Sequence, residues 1–115
     1  MDVTIYHNPR CSKSRQTMAL LEARGIAPKV IEYLNAPPDA PTLKAILEKL
    51  GIGARDLMRK KEAPYKELGL DDPSLTEDAL IRAMVENPIL IERPVVLAGD
   101  RARLGRPPEQ VLDIL

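Results

Sequence analysis

The first thirty-four residues restrict the fold more than any other part of the chain. Val3-Thr4-Ile5-Tyr6 is a short β-rich run that Asn8-Pro9 stops, and from Ser12 onward Met18, Leu20, Leu21 and Ala23 continue as a helix that Gly25 ends. A second run, Val30-Ile31-Glu32-Tyr33-Leu34, is nearly continuous in apolar character, as strands buried in a parallel sheet are. Two strands joined through a helix predict a right-handed βαβ unit and place the chain in the α/β class. At 115 residues there is room for one domain, 1–115, with one modest core. That core must be aliphatic, since the chain has no Phe or Trp and three Tyr.

The remainder follows in order. Asp39 caps a helix with Leu43, Ile46, Leu47 and Leu50 at i, i+3, i+4, i+7 spacing, and Gly51 stops it. From about 52 to 88 the pattern is helical but interrupted, which reads as an insertion. It holds a short segment near 54–60, a break at Pro64-Tyr65, a turn over 69–73 and a helix carrying Leu80, Ile81, Met84 and Val85. For that last helix Ser74 and Glu77 form a candidate capping box. Arg93-Pro94-Val95-Val96-Leu97 is a third strand, and Gly99-Asp100 turns it into a fourth near 102–104. Pro107-Pro108 then opens a final helix through Val111, Leu112 and Ile114. An N-terminal βαβ and a C-terminal β-hairpin plus helix, with helices inserted between, is the order of the thioredoxin-like fold. That fold places a cis proline before its third strand, beside the reactive cysteine, which marks Pro94 as a structural residue of the site.

Cys11 is the chain's one cysteine and stands where the first loop becomes a helix. A thiol there meets unpaired main-chain N–H groups and the positive end of the helix dipole, both of which favour the thiolate. The same donors can hold an oxyanion. Its neighbours Arg10, Ser12, Lys13, Ser14 and Arg15 are polar or cationic, unlike the surroundings of an inert core thiol. Ser14 occupies the position three residues on where a dithiol oxidoreductase has its second cysteine, so the motif is monothiol; its hydroxyl is in range to donate to the thiolate. His7 is a candidate for stabilising the thiolate or moving a proton. Arg93, next to the strand-opening proline, and Arg106 and Arg59 offer planar donor forks suited to a tetrahedral oxyanion.

Other classes of function are poorly served. Seventeen Lys and Arg balance seventeen Asp and Glu, so no global field steers the protein to nucleic acid or an acidic membrane. Few aromatics leave no platform for stacking bases. A lone cysteine and the lack of a leader-like or long apolar N-terminal run point to a reduced, cytoplasmic setting without membrane association. A phosphatase-like reductase needs an arginine six residues after its cysteine, and position 17 is Thr17.

Four separated motifs then converge. His7-Asn8-Pro9-Arg10-Cys11-Ser12-Lys13-Ser14-Arg15, Leu57-Met58-Arg59-Lys60, Asn87-Pro88-Ile89-Leu90-Ile91-Glu92-Arg93-Pro94 and Arg103-Leu104-Gly105-Arg106-Pro107 together resemble the ArsC family of glutaredoxin-coupled arsenate reductases. The likeness runs over essentially the whole chain. It implies Cys11 as nucleophile, His7 and Ser14 as its support, and Arg59, Arg93 and Arg106 as oxyanion ligands. It also implies arsenate or a related oxyanion as substrate, glutathione as co-substrate, glutaredoxin as partner, and no metal or tightly bound cofactor. Arg10 and Lys13 stand where characterised members of the family have smaller residues, a variant that resembles a short subgroup. Two further readings share the fold: a Spx-like regulator that binds RNA polymerase, which typically switches through a cysteine pair, and a monothiol glutaredoxin-like oxidoreductase, which would leave the arginines idle.

Overall fold

The computed structural model describes residues 2–115 and divides into two compact units, one formed by the chain up to Ala36 with Arg93–Leu115 and the other by Pro37–Glu92. The first contains β1 (Val3–His7), α1 (Ser12–Ala23), β2 (Lys29–Glu32), β3 (Val95–Ala98) and β4 (Arg101–Leu104), then a 3₁₀ segment, Pro108–Ile114. Its sheet has the order β2-β1-β3-β4, with β1 parallel to β2 and antiparallel to β3, and β3 antiparallel to β4. This is the thioredoxin-like arrangement expected, with β1 and β3 as the inner strands. One face buries Val3, Ile5, Val96 and Ala98 against Leu21 of α1 and Val111 and Ile114 of the C-terminal segment. Burying an aliphatic side chain of this size stabilises the fold by about 1.5–3 kcal/mol.

Two details differ from the sequence expectation. β2 is an edge strand and not a buried one: Val30 is 43% exposed, and Leu34 lies beyond the strand at 38%. A five-residue run with four apolar members has no clear alternation to tell an open edge from a buried centre. The C-terminal helix winds as 3₁₀ throughout its seven residues.

The second unit is helical. It comprises α2 (Ala40–Leu50), α3 (Ala54–Leu57), α4 (Ala63–Glu67), α5 (Glu77–Glu86) and a 3₁₀ turn at Pro88–Leu90. The Asp39 side chain accepts from the Thr42 N–H at 2.9 Å, and Gly51 closes α2 at φ 72°, a conformation that favours glycine. Pro64 lies in the first turn of α4, where a missing N–H costs nothing, so it opens a helix where the sequence suggested a break. The cap of α5 is Thr76, whose hydroxyl accepts from Ala79 N–H at 3.1 Å. Ser74 instead turns back to Asp72, through its N–H at 2.9 Å and its hydroxyl at 2.7 Å. The Glu77 carboxylate accepts from Ala54 N–H at 2.9 Å and so ties α5 to the start of α3. Among the described residues no helix is long and apolar enough to cross a membrane.

Candidate active site

Asn8 builds the loop that presents the cysteine. Its carbonyl accepts from Cys11 N–H and its Oδ1 from Arg10 N–H, both at 3.0 Å, and its side chain is buried. This double turn delivers Cys11 as the N-cap of α1 with extended backbone, φ −92° and ψ 124°. The first turn of α1 contains no acidic residue but does contain Lys13 and Arg15. Cations at a helix N-terminus oppose the dipole. The helix accepts that cost at the place where a bound anion would offset it.

Around the sulfur, burial pushes the Cys11 thiol up. The main-chain N–H of Ser14, the Arg93 guanidinium and the Lys13 N–H together outweigh burial and leave the thiol below its ordinary value. Arg106 adds an Nη2 donor 3.7 Å from Sγ, while its Nε donates to the Arg93 carbonyl at 2.8 Å. Arg93 and Arg106 are thus fastened to each other through the main chain. The Arg93-Pro94 peptide is cis, as expected, and so is Arg106-Pro107, which the sequence did not suggest. Gly105 locks the second arginine's approach: its N–H donates to the Pro94 carbonyl at 2.9 Å. A Cβ on Gly105 would lie 2.5 Å from Thr17 Oγ1 and 2.6 Å from Pro94 Cγ, so only glycine fits.

Ser14 is fully buried, and its hydroxyl meets His7 Nδ1 at 2.6 Å and accepts from Asn8 N–H at 3.0 Å. Ser14 therefore acts on the sulfur through its main-chain N–H, while its hydroxyl joins His7 to the loop. Burial lowers the His7 pKa; Glu32 opposes this and Arg15 reinforces it, so the imidazole is held below its ordinary value. A neutral ring can accept the serine hydrogen at Nδ1 or donate its own, and that choice decides whether the hydroxyl hydrogen is committed to His7. Beside the imidazole a cavity of about 340 Å³ is bordered by Arg10, Glu32 and Asn35, a polar rim carrying both charge signs.

Of the residues singled out from sequence, His7, Cys11, Ser14, Arg93, Pro94 and Arg106 meet in the sheet unit. Arg59 belongs to the helical unit. There its Nη1 donates to Glu92 at 2.7 Å and its Nε to Glu62 at 3.3 Å, and its N–H donates to the Leu90 carbonyl at 2.7 Å. The sequence does not single out Asn8 or Gly105 as site residues. Asn8 before proline is an ordinary turn signal, and close approach to a glycine is invisible until the two neighbours are placed.

Known proteins resemble this chain in sequence and in structure. A protein of Escherichia coli K12 named uncharacterized protein YfgD is 60% identical over 114 residues, covering 98% of this chain and 96% of its own. The arsenate reductase of Neisseria meningitidis is 54% identical over 115 residues, 99% of this chain and 98% of its own. The solved structure of the arsenate reductase from Vibrio cholerae superposes with a TM-score of 0.98 at 58% identity, over 100% of this chain and 98% of that one. The family model described as ArsC family matches residues 6–114, and the chain belongs to that family.

Proposed function

We propose that this protein is an arsenate reductase that works through a covalent adduct on Cys11. The observation that carries the reading is the sulfur's position. It caps a twelve-residue helix, with Arg106 Nη2 at 3.7 Å and the Arg93 guanidinium acting on it. A tetrahedral oxyanion at that helix end meets main-chain N–H donors and fixed cations at once. The full-length relatives named arsenate reductase support arsenate as that anion.

The Cys11 thiolate attacks arsenic, an S–As bond forms, and an oxygen leaves as hydroxide or water. A glutathione thiol then displaces a second arsenic oxygen as water and forms its own As–S bond, and a glutaredoxin thiolate attacks that glutathione sulfur, taking it away as a mixed disulfide while the As–S bonding pair stays on arsenic. The two electrons that carry As(V) to As(III) come from these outside thiols; water then breaks the Cys11 S–As bond, releasing arsenite and restoring the thiol. A chain with one cysteine suits this division of labour, since it cannot form an internal disulfide. Arg93 and Arg106 neutralise the oxyanion and favour the anionic sulfur; Arg59 is the third ligand that the family resemblance implies. His7 and Ser14 brace the loop. Discrimination from phosphate then lies in the chemistry, because a thiolate reduces As(V) far more readily than phosphorus(V).

The test is arsenate-dependent NADPH oxidation, coupled through glutathione reductase, glutathione and glutaredoxin. The wild type should turn over and Cys11→Ser should lose all detectable activity. Folded wild type that shows no arsenate-dependent signal with any of several glutaredoxins would sink the proposal.

A further inference from the structure

Tyr33 is the one aromatic ring that is completely buried, although it directly follows the most exposed strand of the sheet. Its place follows from register. Parallel pairing sets His7 opposite Glu32 and antiparallel pairing sets Tyr6 opposite Val95. Carried one step past the parallel pairs and two steps past the antiparallel ones, the same registers set Asn8 between Tyr33 and Arg93. The three residues form a row beyond the ends of the paired strands, and Asn8 in that row begins the turn that carries Cys11.

The polar atoms in this row are buried together. Tyr33 Oη is removed from solvent and makes no hydrogen bond of good geometry among the described residues, and Nε and Nη1 of Arg93 are buried too. A phenol oxygen left unsatisfied in such a place is costly, so an aliphatic residue would serve packing better. The guanidinium of Arg93 and the side chain of Asn8 both act on this phenol, and the Cys11 charge reaches it as well. Asn8 has its Oδ1 committed to Arg10 N–H, which leaves NH₂ as its remaining side-chain donor. The charged groups about the sulfur are Arg93 and Arg106.

We propose that Tyr33 is a positioning residue whose buried hydroxyl fixes the Arg93 guanidinium against the Cys11 sulfur. Burial raises the phenol pKa, an effect that the nearby Arg93 opposes, so Tyr33 stays a neutral acceptor over the working pH range. The inference rests on the reading of Arg93 as a partner of the thiolate, and it does not require arsenate to be the substrate.

The test is the pH dependence of Cys11 alkylation by iodoacetamide in wild type, Tyr33→Phe, Arg93→Ala and the double variant. Phe fills the same space and removes one oxygen, and thermal unfolding checks that the fold is kept. Tyr33→Phe should raise the apparent thiol pKa by about half a unit to one unit. Arg93→Ala should raise it further, and the double variant should go no higher than Arg93→Ala. A Tyr33→Phe profile that superimposes on wild type would overturn the proposal, and so would a Tyr33→Phe shift that persists in full without Arg93. Because alkylation needs no arsenate, a protein inactive as a reductase can still support this role, and an active reductase can still refute it.

Discussion

Arginine is used in opposite ways in the two units. In the helical unit Arg59 donates to two carboxylates, Glu62 and Glu92, each about three-quarters buried as it is itself. In the sheet unit Arg106 donates to a carbonyl and a sulfur. A guanidinium matched by two carboxylates has its charge compensated and mainly fastens chain to chain. One that reaches a neutral carbonyl and an ionisable sulfur sets its charge against a thiolate or an incoming anion. Counting arginines in the sequence cannot distinguish these duties, because the acceptors decide them.

The comparison breaks most readily at Arg106. Arg106→Ala should weaken oxyanion binding tenfold or more, taking a charge-assisted hydrogen bond as worth about 1.5–3 kcal/mol. Arsenate KM, or competition by phosphate, measures it; a KM within twofold of wild type would mean that the arginine facing the sulfur is ornamental. Gly105→Ala tests the scaffold of the same group without touching its charge. The added methyl collides with Thr17 and Pro94, and overpacking of this kind costs about 1–3 kcal/mol. Urea unfolding reads the loss, and KM should rise with it as Arg106 is pushed away.

The thiol itself gives a pH signature. Its folded pKa is depressed, so it contributes stability that is fully present above the unfolded thiol value, about 8.5. That contribution is lost as pH falls through the lower folded value. The stability difference between wild type and Cys11→Ser should therefore grow from acid to alkaline pH, and a flat difference in denaturant titrations would contradict it. On the helical side the effects are smaller. Thr76→Ala should cost about 1 kcal/mol through loss of the α5 cap, against much less for Ser74→Ala. Glu62→Gln should change unfolding free energy by less than about 1 kcal/mol, as partly exposed ion pairs do.

The sheet unit was largely legible because its signals are local. Asn8-Pro9 ends a strand and Gly25 ends a helix, and Cys11 falls at the junction by simple order. The cis proline came with the fold type. The helical unit was harder because its decisive contacts join distant positions. Ser74 and Glu77 have capping-box spacing, yet Ser74 is claimed by Asp72 and Glu77 by Ala54, twenty-three residues away. Arg59 sits in a run of cations, and nothing nearby announces Glu92. The Tyr33, Asn8 and Arg93 row needed the register of two strand pairs, one parallel and one antiparallel, which no single segment encodes.

The strand order also sorts the site by how firmly its parts are held. His7 ends β1 and Arg93 stands just before β3, the two inner strands; Tyr33 and Arg106 follow β2 and β4, the two edges. Edge strands open locally at lower free energy than central ones. Amide exchange should thus find the sulfur's immediate frame among the slowest protons of the sheet, with Tyr33 and Arg106 on segments that breathe. The nucleophile's frame belongs to the inner strands, and its outer cation follows an edge strand that is tied back to them through Gly105 and Pro94.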